Sequence, residues 1–291
     1  MTTEPTPAGS SAPDRLPIGV SIRTIRATPD WWLDSARRLD KAGYGGIWAW
    51  DHFVGKGDRT VPVVECWTVL SAAAAITRGV TVGSFVINVM NRHPAVLARM
   101  ATTLQTISTG RLVLGIGIGG HPAEHRALGI AFPDAAERVA RMEETIAVLR
   151  AIWSGGPVTR PSPFYPLDDA VVSVGPYPPP PIVIGAETAR GAQIAARAGD
   201  GWTAFERQFE AHLPAYLEAL AEAGRDRADQ RLYVSFEGTD WLSDERLAES
   251  DWLRSPRETW ARWRELGADG AIVTVRTTED VDALVRAADR W

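Results

Sequence analysis

The stretch RLVLGIGIGGHPAEHRALG, residues 111–129, places glycines in the pattern G-x-G-x-x-G directly after an apolar run. That pattern also marks dinucleotide-binding turns, where a helix begins within the turn and its N–H groups hold a pyrophosphate. Here the clear helical period begins only near Ala135, and no acidic residue stands on a second strand about 20 residues later. The glycines are therefore interpreted either as a plain turn or as a strand end that lets the backbone approach a flat ligand.

Outward from this stretch, short apolar runs alternate with amphipathic segments along the chain. Eight runs are rich in β-branched or aromatic residues and end at glycine or polar residues, which predicts strands. They are residues 18–23, 45–50, 80–87, 112–117, 182–185, 201–205, 232–236 and 271–275. Alternating strands and helices indicate an α/β fold with a parallel sheet, and the count of eight favours a closed (β/α)8 TIM barrel over an open sheet.

The chain has 291 residues, and its composition changes abruptly only near the N-terminus. Residues 1–16 are rich in Pro, Ser and Thr and are predicted to be a flexible tail. Residues 17–291 are predicted to form a single domain with insertion loops. Because loops after strands form the active face of a barrel, a substrate is expected to enter under the loops 154–181 and 237–254.

The composition indicates which classes of partner and which cellular compartment to expect. Lys and Arg number 31 against 36 Asp and Glu, and no basic run stands out, which argues against nucleic acid and anionic membranes as partners. No stretch reaches the length of a membrane span, and the N-terminus lacks the apolar core of a signal peptide. The single cysteine, Cys66, excludes an intrachain disulfide and is interpreted as a buried core residue. The protein is predicted to be cytoplasmic and to have no metal site.

Four segments resemble the bacterial luciferase-like monooxygenase superfamily, in the same order and at the same spacing. They are GGIWAWDHF (45–53), RHPAVLARMATTLQTISTGR (92–111), the segment 110–155 that contains the glycine stretch, and PPIVIGAETARGAQIAARAGDGW (180–202). The C-terminal third is similar only loosely, through SPRETWARWRELGADG (255–270). The pair Asp51–His52 resembles the branch that uses the deazaflavin coenzyme F-420. The resemblance implies a single barrel of eight strands.

Asp51 and His52 follow the second predicted strand, which places them at the predicted active face. Histidine titrates near neutral pH and can pass a proton while hydride moves. On the residues alone, a half-buried structural histidine is the alternative. The resemblance implies that His52 lies near the reactive carbon of the cofactor and that Asp51 contacts its ring system.

Other titratable residues receive narrower predictions. In the sugar-phosphate dehydrogenase branch of the family, a glutamate follows the glycine pair after strand four. Here Gly120 stands in that place, which argues against sugar-phosphate oxidation. The next residue, His121, is a candidate proton donor. The alternative is that His121 is a loop residue bonded to the backbone. Glu65 is predicted to begin a helix, with a catalytic acid as the alternative. His93 is predicted to cap a loop, and His125 to lie on the surface.

The resemblance also implies a cofactor site at the strand ends, including a cis peptide between Phe85 and Val86. The candidate cofactor-binding residues are Asp51, Phe85, Val86, Asn88, Gly117, Ile118, Gly119, Gly120, Gly185, Ala186, Glu187 and Thr188. Many relatives carry Gly-Ser-Gly-Pro where this chain has residues 186–189, and their N–H groups hold the cofactor phosphate. Glu187 is unfavourable beside a phosphate. It is expected to turn to solvent and leave Thr188 and backbone N–H groups for the phosphate; blockage of the site is the alternative.

Together these features predict a deazaflavin-dependent oxidoreductase that transfers hydride to or from a small organic substrate, in a chain expected to form homodimers as its relatives often do. An FMN-dependent luciferase-like monooxygenase is the first alternative. A doubly wound nicotinamide dehydrogenase is the second alternative, and it requires the glycines of residues 111–129 to open a helix. A barrel homologue without catalysis is the third alternative, because the phosphate loop is changed and the glutamate is absent.

Overall fold

A computed structural model of the chain describes residues 15–55, 57–173, 175–236 and 246–291. Its strands are β1 (Ile18–Ile22), β2 (Gly46–Ala49), β3 (Thr81–Ser84), β4 (Ile87–Asn88), β5 (Leu112–Gly117), β6 (Val158–Arg160), β7 (Leu167–Ala170), β8 (Ile182–Gly185), β9 (Gly201–Phe205), β10 (Arg231–Phe236) and β11 (Gly270–Val275).

Ten α-helices accompany these strands in the described ranges. They are α1 (Pro29–Lys41), α2 (Cys66–Ile76), α3 (Pro94–Ile107), α4 (Pro122–Leu128), α5 (Ala135–Trp153), α6 (Ala189–Ala198), α7 (Glu206–Glu222), α8 (Asp251–Arg254), α9 (Pro256–Glu265) and α10 (Thr278–Ala287). Short 3-10 turns lie at Arg227–Asp229, Leu247–Glu249 and Ala288–Arg290. None of the described helices combines the length and the apolar character that a membrane span requires.

The main sheet closes on itself as a parallel barrel. Its strands follow the order β3-β2-β1-β11-β10-β9-β8-β5, and β3 also pairs with β5, which joins the two ends. All eight predicted strands lie in this barrel, so the TIM-barrel prediction is confirmed. The run predicted at 80–87 is divided into β3 and β4, and the peptide bond between them, Phe85–Val86, is cis.

The long insert predicted at residues 154–181 carries structure of its own. Within it, β6 and β7 form an antiparallel hairpin. The hairpin is tied to α5 by Arg160, whose guanidinium lies 2.5 Å from a carboxylate oxygen of Glu144. Of the second predicted loop, 237–254, residues 237–245 lie outside the described residues, and α8 and a 3-10 turn occupy the remainder.

The start of the described chain is held against the barrel. Arg15 pairs with Asp40 at 2.8 Å, and the Leu16 N–H donates to the Gly43 carbonyl. Residues 1–14 of the predicted tail lie outside the described residues, whereas Arg15 and Leu16, which the sequence assigned to that tail, contact the barrel.

The barrel interior is filled by a small cluster of large side chains around Trp48 of β2. Trp48, Val113, Val183 and Ile272 are buried together there. The indole has room because three neighbouring strand positions are glycine: a Cβ on Gly19, Gly46 or Gly83 would lie 2.4, 2.8 or 2.4 Å from an atom of Trp48. The indole also packs edge-on against Phe85, with ring centroids 6.5 Å apart. The filled interior leaves the C-terminal ends of the strands as the place for a cavity.

Candidate functional site

A cavity of about 760 Å³ opens at the C-terminal ends of the barrel strands. That volume lies in the usual range for small-molecule sites, roughly 300–1,000 Å³. All of the candidate site residues line it, namely Asp51, His52, Phe85, Val86, Asn88, Gly117, Ile118, Gly119, Gly120, His121, Gly185, Ala186, Glu187 and Thr188. Apolar side chains from α5 and α6 complete the wall, including Val139, Met142 and Ile194. The barrel thus brings together residues that lie up to 137 positions apart, from Asp51 to Thr188.

His52 is held by a buried carboxylate that the sequence did not reveal. Its Nδ1 lies 3.0 Å from Oε2 of Glu124, and the other oxygen, Oε1, accepts a hydrogen bond from the Phe53 N–H. Burial raises the pKa of Glu124, but the hydrogen bonds from His52 and Phe53 and the charges of His52 and His121 outweigh it. The pKa of Glu124 therefore lies below its ordinary value, and the carboxylate is ionised at neutral pH.

His121 approaches the same carboxylate from the other side. Its Nδ1 lies 3.4 Å from Oε2 of Glu124, and the ring centroids of His52 and His121 are 6.1 Å apart. Both candidate proton donors thus lie beside one buried acid at the cavity wall. Glu124 was missed because it is the third residue of the seven-residue helix α4, too short to show a helical period. The available signal was Pro122, a residue favoured at the first position of a helix.

Helix α4 changes two further expectations. A helix was expected to begin only near Ala135, yet α4 begins at Pro122, so the absence of an early helix does not exclude a dinucleotide turn. The dinucleotide interpretation is excluded instead by the closed barrel, in which the glycines end the fourth of eight strands. The surface prediction for His125 was wrong: the residue is 2% exposed, because α4 turns it inward, where Nε2 lies 2.7 Å from Nδ2 of Asn88. Burial lowers the pKa of His125 below its ordinary value.

Asp51 is enclosed by donors from the protein. Arg92 binds it with two nitrogens, at 2.8 Å from Oδ2 and 2.9 Å from Oδ1. The Asn88 N–H and the Asn91 amide donate to Oδ2 at 3.0 and 3.1 Å. Sequence reasoning gave no role to Arg92, whose guanidinium also lies 2.5 Å from Glu65. The carboxylate of Asp51 therefore ties the segment after β4 to the end of β2.

Glu65 begins a helix as predicted, whereas His93, which was predicted to cap a loop, caps the helix α3. Glu65 accepts hydrogen bonds from the N–H groups of Trp67 and Thr68 at the start of α2, at 3.1 and 2.7 Å. His93 accepts from the Ala95 N–H at 3.2 Å and begins α3. Both contacts satisfy N–H groups that a helix start leaves without partners.

The glycines after β5 serve different needs. Gly119 has a φ of +72°, and a Cβ there would lie 2.5 Å from the Asn88 side chain. A Cβ on Gly117 would lie 2.8 Å from Val86. These two positions are glycine because of local packing. Gly120 differs, because a Cβ there would meet no atom within 4 Å. Its open side, at the wall of the cavity, leaves room for a ligand.

The loop after β8, the strand that pairs with β5, leads into α6 at the cavity wall. Thr188 caps this helix, its hydroxyl accepting from the Gly191 N–H at 3.1 Å. Glu187 is exposed, and its carboxylate oxygens lie 3.2 and 3.3 Å from the Phe205 N–H. The side chain therefore contacts the end of β9, although it is exposed as expected. Arg190 also lines the cavity here, so the loop offers both a cation and helix-start N–H groups.

Known proteins are similar to this chain in sequence and in architecture. Residues 9–239 match the family model described as luciferase-like monooxygenase. The chain is 32% identical over 231 residues to an F-420-dependent glucose-6-phosphate dehydrogenase of Beutenbergia cavernae, covering 75% of this chain and 67% of that protein. It is 30% identical over 228 residues to an F-420-dependent hydroxymycolic acid dehydrogenase of Mycobacterium tuberculosis, covering 77% and 63%.

A solved structure agrees with the fold over almost the whole chain. An F-420-dependent secondary alcohol dehydrogenase, in complex with an F-420–acetone adduct, superposes with a TM-score of 0.79 at 19% identity, covering 94% of this chain and 98% of that one. The family resemblance read from residues 18–205 is confirmed by the family model and by the named relatives. The chain belongs to the luciferase-like monooxygenase family.

Proposed function

We propose that the protein is an oxidoreductase that transfers hydride between the deazaflavin coenzyme F-420 and a small organic substrate. The observation that carries the proposal is the pair of His52 and Glu124 at the wall of a cavity large enough for a ring system. Membership of a family whose similar members are named F-420-dependent supports the choice of cofactor.

The cavity offers a fitting place for each part of such a cofactor. Val86 and Ile118 supply apolar lining, and Gly120 leaves open space at the cavity wall, which together suit a flat ring. Arg190 and the first N–H groups of α6 suit a phosphate. When bound, a deazaflavin supplies a carbon that accepts or gives hydride, and the protein contributes binding, orientation and electrostatics.

His52 is proposed as the residue that exchanges a proton with the substrate. Since Nδ1 faces Glu124, Nε2 is the ring nitrogen left for a ligand in the cavity. The ionised carboxylate fixes the ring of His52, so that a proton exchanged at Nε2 keeps one direction. His121 is the second candidate donor, because it lies beside the same carboxylate. Asp51 is proposed to act indirectly, by holding the segment that carries Asn88.

The substrate is proposed to be small and without a phosphate group. Gly120 stands where the sugar-phosphate branch of the family has a glutamate. The wall formed by Val139, Met142 and Ile194 is apolar, which favours the apolar part of an organic molecule.

A comparison of cofactors tests this function. The purified full chain is titrated with F-420 and, separately, with FMN, following the fluorescence of each. We expect F-420 to bind more tightly than FMN. Co-purified FMN that F-420 does not displace would support a monooxygenase instead, and failure to bind either cofactor would support a barrel without catalysis.

Assembly and compartment are further proposals. We propose a homodimer, with α3 as part of the contact, because this helix exposes Val96 and Ile107 (55% and 44% of their surfaces). Analytical ultracentrifugation tests it, since a monomer at micromolar concentration contradicts it. We also propose a cytoplasmic location, which suits a chain whose single cysteine, Cys66, is buried and free. Cell fractionation tests this location.

A further inference from the structure

Three potential metal-ligand atoms converge at one side of the cavity. A ring nitrogen of His52, a ring nitrogen of His121 and a carboxylate oxygen of Glu124 all lie within 4.8 Å of one another. They come from the end of β2, from the residue before α4 and from the first turn of α4. One oxygen, Oε2 of Glu124, is shared: it lies 3.0 Å from His52 and 3.4 Å from His121.

These separations suit a tetrahedral ion. Zinc binds imidazole nitrogen and carboxylate oxygen at about 2.0–2.2 Å, and tetrahedral angles then place ligand atoms roughly 3.3–3.5 Å apart. The separation of Glu124 from His121, 3.4 Å, lies within that range, and its separation from His52, 3.0 Å, lies slightly below it. Binding of an ion requires side-chain rotations that bring the three atoms to bonding distance. Two imidazoles and one carboxylate form a donor set that zinc and neighbouring divalent transition metals bind in other proteins.

A buried nitrogen without a hydrogen bond supports this assignment independently. Nδ1 of His121 is buried, and its contact with Glu124 lacks hydrogen-bond geometry; it has no hydrogen-bond partner among the described residues. Buried polar atoms are rarely left in this state, so a ligand on this nitrogen is a physical explanation. The Phe53 N–H bound to Oε1 orients the carboxylate, as outer hydrogen bonds do for metal ligands.

We propose that His52, His121 and Glu124 bind one divalent transition-metal ion of the zinc class. The fourth coordination position opens into the cavity, where water or a substrate oxygen occupies it. The ion takes the carboxylate that otherwise holds the ring of His52, so zinc inhibits the proposed hydride transfer. The site goes beyond the proposed function and does not depend on it, because ion binding is measured without any cofactor.

Cobalt provides the direct test, because tetrahedral Co²⁺ has an intense visible absorption that octahedral Co²⁺ lacks. The full chain, freed of metal with a chelator, is titrated with Co²⁺ and then with Zn²⁺. We expect one Co²⁺ per chain with the tetrahedral spectrum, and its displacement by Zn²⁺. His121→Asn and Glu124→Gln are each expected to weaken binding by more than the roughly 10–100-fold that loss of an outer partner costs. His93→Asn, a histidine outside this cavity, is the matched control and keeps wild-type affinity.

Two outcomes overturn the proposal: an octahedral spectrum or none in the wild type, and unchanged affinity in His121→Asn. Proton NMR of the Co²⁺-loaded wild type locates the ion without any variant. Among the five histidines of the chain, only the ring signals of His52 and His121 should carry the large shifts of directly bound imidazoles. Such shifts on other histidines would refute the site even if a variant failed to fold.

Discussion

Replacing Asp51 by Asn tests whether this carboxylate supports the fold or the cofactor. Its side chain is 0% exposed and that of Arg92 is 10% exposed, so the change leaves a buried guanidinium without its main partner. The Asn oxygen can still accept from Asn88 and Asn91. The Asn nitrogen cannot accept from Arg92 and the remaining oxygen carries no charge, so one of the two charge-assisted bonds from Arg92, each worth about 1.5–3 kcal/mol, is lost and the other is weakened.

Glu65 moderates this loss, because its carboxylate still lies 2.5 Å from Arg92. We therefore expect the free energy of unfolding to fall by about 3 kcal/mol. This is the lower end of the roughly 3–5 kcal/mol that breaking a buried ion pair costs. For a chain of this size, that fall lowers Tm by roughly 5–10 °C.

Urea unfolding followed by circular dichroism measures the change, with Asp282→Asn as the matched control. Asp282 pairs with Arg38 on the surface, where the side chains are 37% and 34% exposed, and its loss should cost less than about 1 kcal/mol. A cost of less than about 1 kcal/mol for Asp51→Asn, together with a sharp fall in F-420 affinity, would contradict a structural role for Asp51. That result would show that Asp51 serves the cofactor directly.

Three further predictions concern proton transfer, cofactor charge and acid stability. His52→Ala should lower turnover about 10²–10⁴-fold and change cofactor affinity less, with His121→Ala as the parallel test; unchanged turnover would make His52 structural. Glu187→Ser should tighten F-420 binding roughly two- to fivefold, because removing one negative charge near a helix start changes the binding of an anion by about that factor. The gain should shrink as the salt concentration rises. Weaker binding would show that Glu187 makes a favourable contact. Burial raises the pKa of Glu144, but bonds from Ser162 and Arg160 outweigh it, so the folded-state pKa is lowered. The ionised Glu144 therefore stabilises the fold above the ordinary carboxyl pKa, and this stabilisation is lost as the pH falls through the lowered folded-state pKa. Glu144→Gln should flatten this part of the curve of unfolding free energy against pH. An unchanged curve would contradict this role of Glu144.

The barrel could be predicted from the sequence because each of its strands is a short apolar run. Strands buried on both faces show this pattern locally, as β1 does over Ile18–Ile22, where every residue is buried. The site was predicted only in part. Asp51 and His52 lie at a strand end, a position that sequence reveals. Their partners do not: Glu124 lies 72 positions from His52, and Arg92 lies 41 positions from Asp51.

The short helix α4 explains the remaining errors. Seven residues make about two turns, so hydrophobic periodicity has too few positions to show which side faces inward. His125 and Glu124 are adjacent in the sequence, and both point into the protein. Only the tertiary contacts with Asn88 and Phe53 decide their burial.

The indole of Trp48 couples four positions of the chain, because a tolerated substitution at position 48 or at one of its three neighbouring glycines requires changes at the others. Alanine at Gly19, Gly46 or Gly83 collides with the ring, so none of the three can change while tryptophan remains. Loss of the ring first leaves a void, at a cost of about 3–5 kcal/mol for a change to alanine. Either single step is costly, whereas a smaller side chain at 48 combined with alanines on the neighbouring strands refills the space. Homologues should therefore keep all four residues or replace them together, and recombination between the two kinds should yield unstable chimeras.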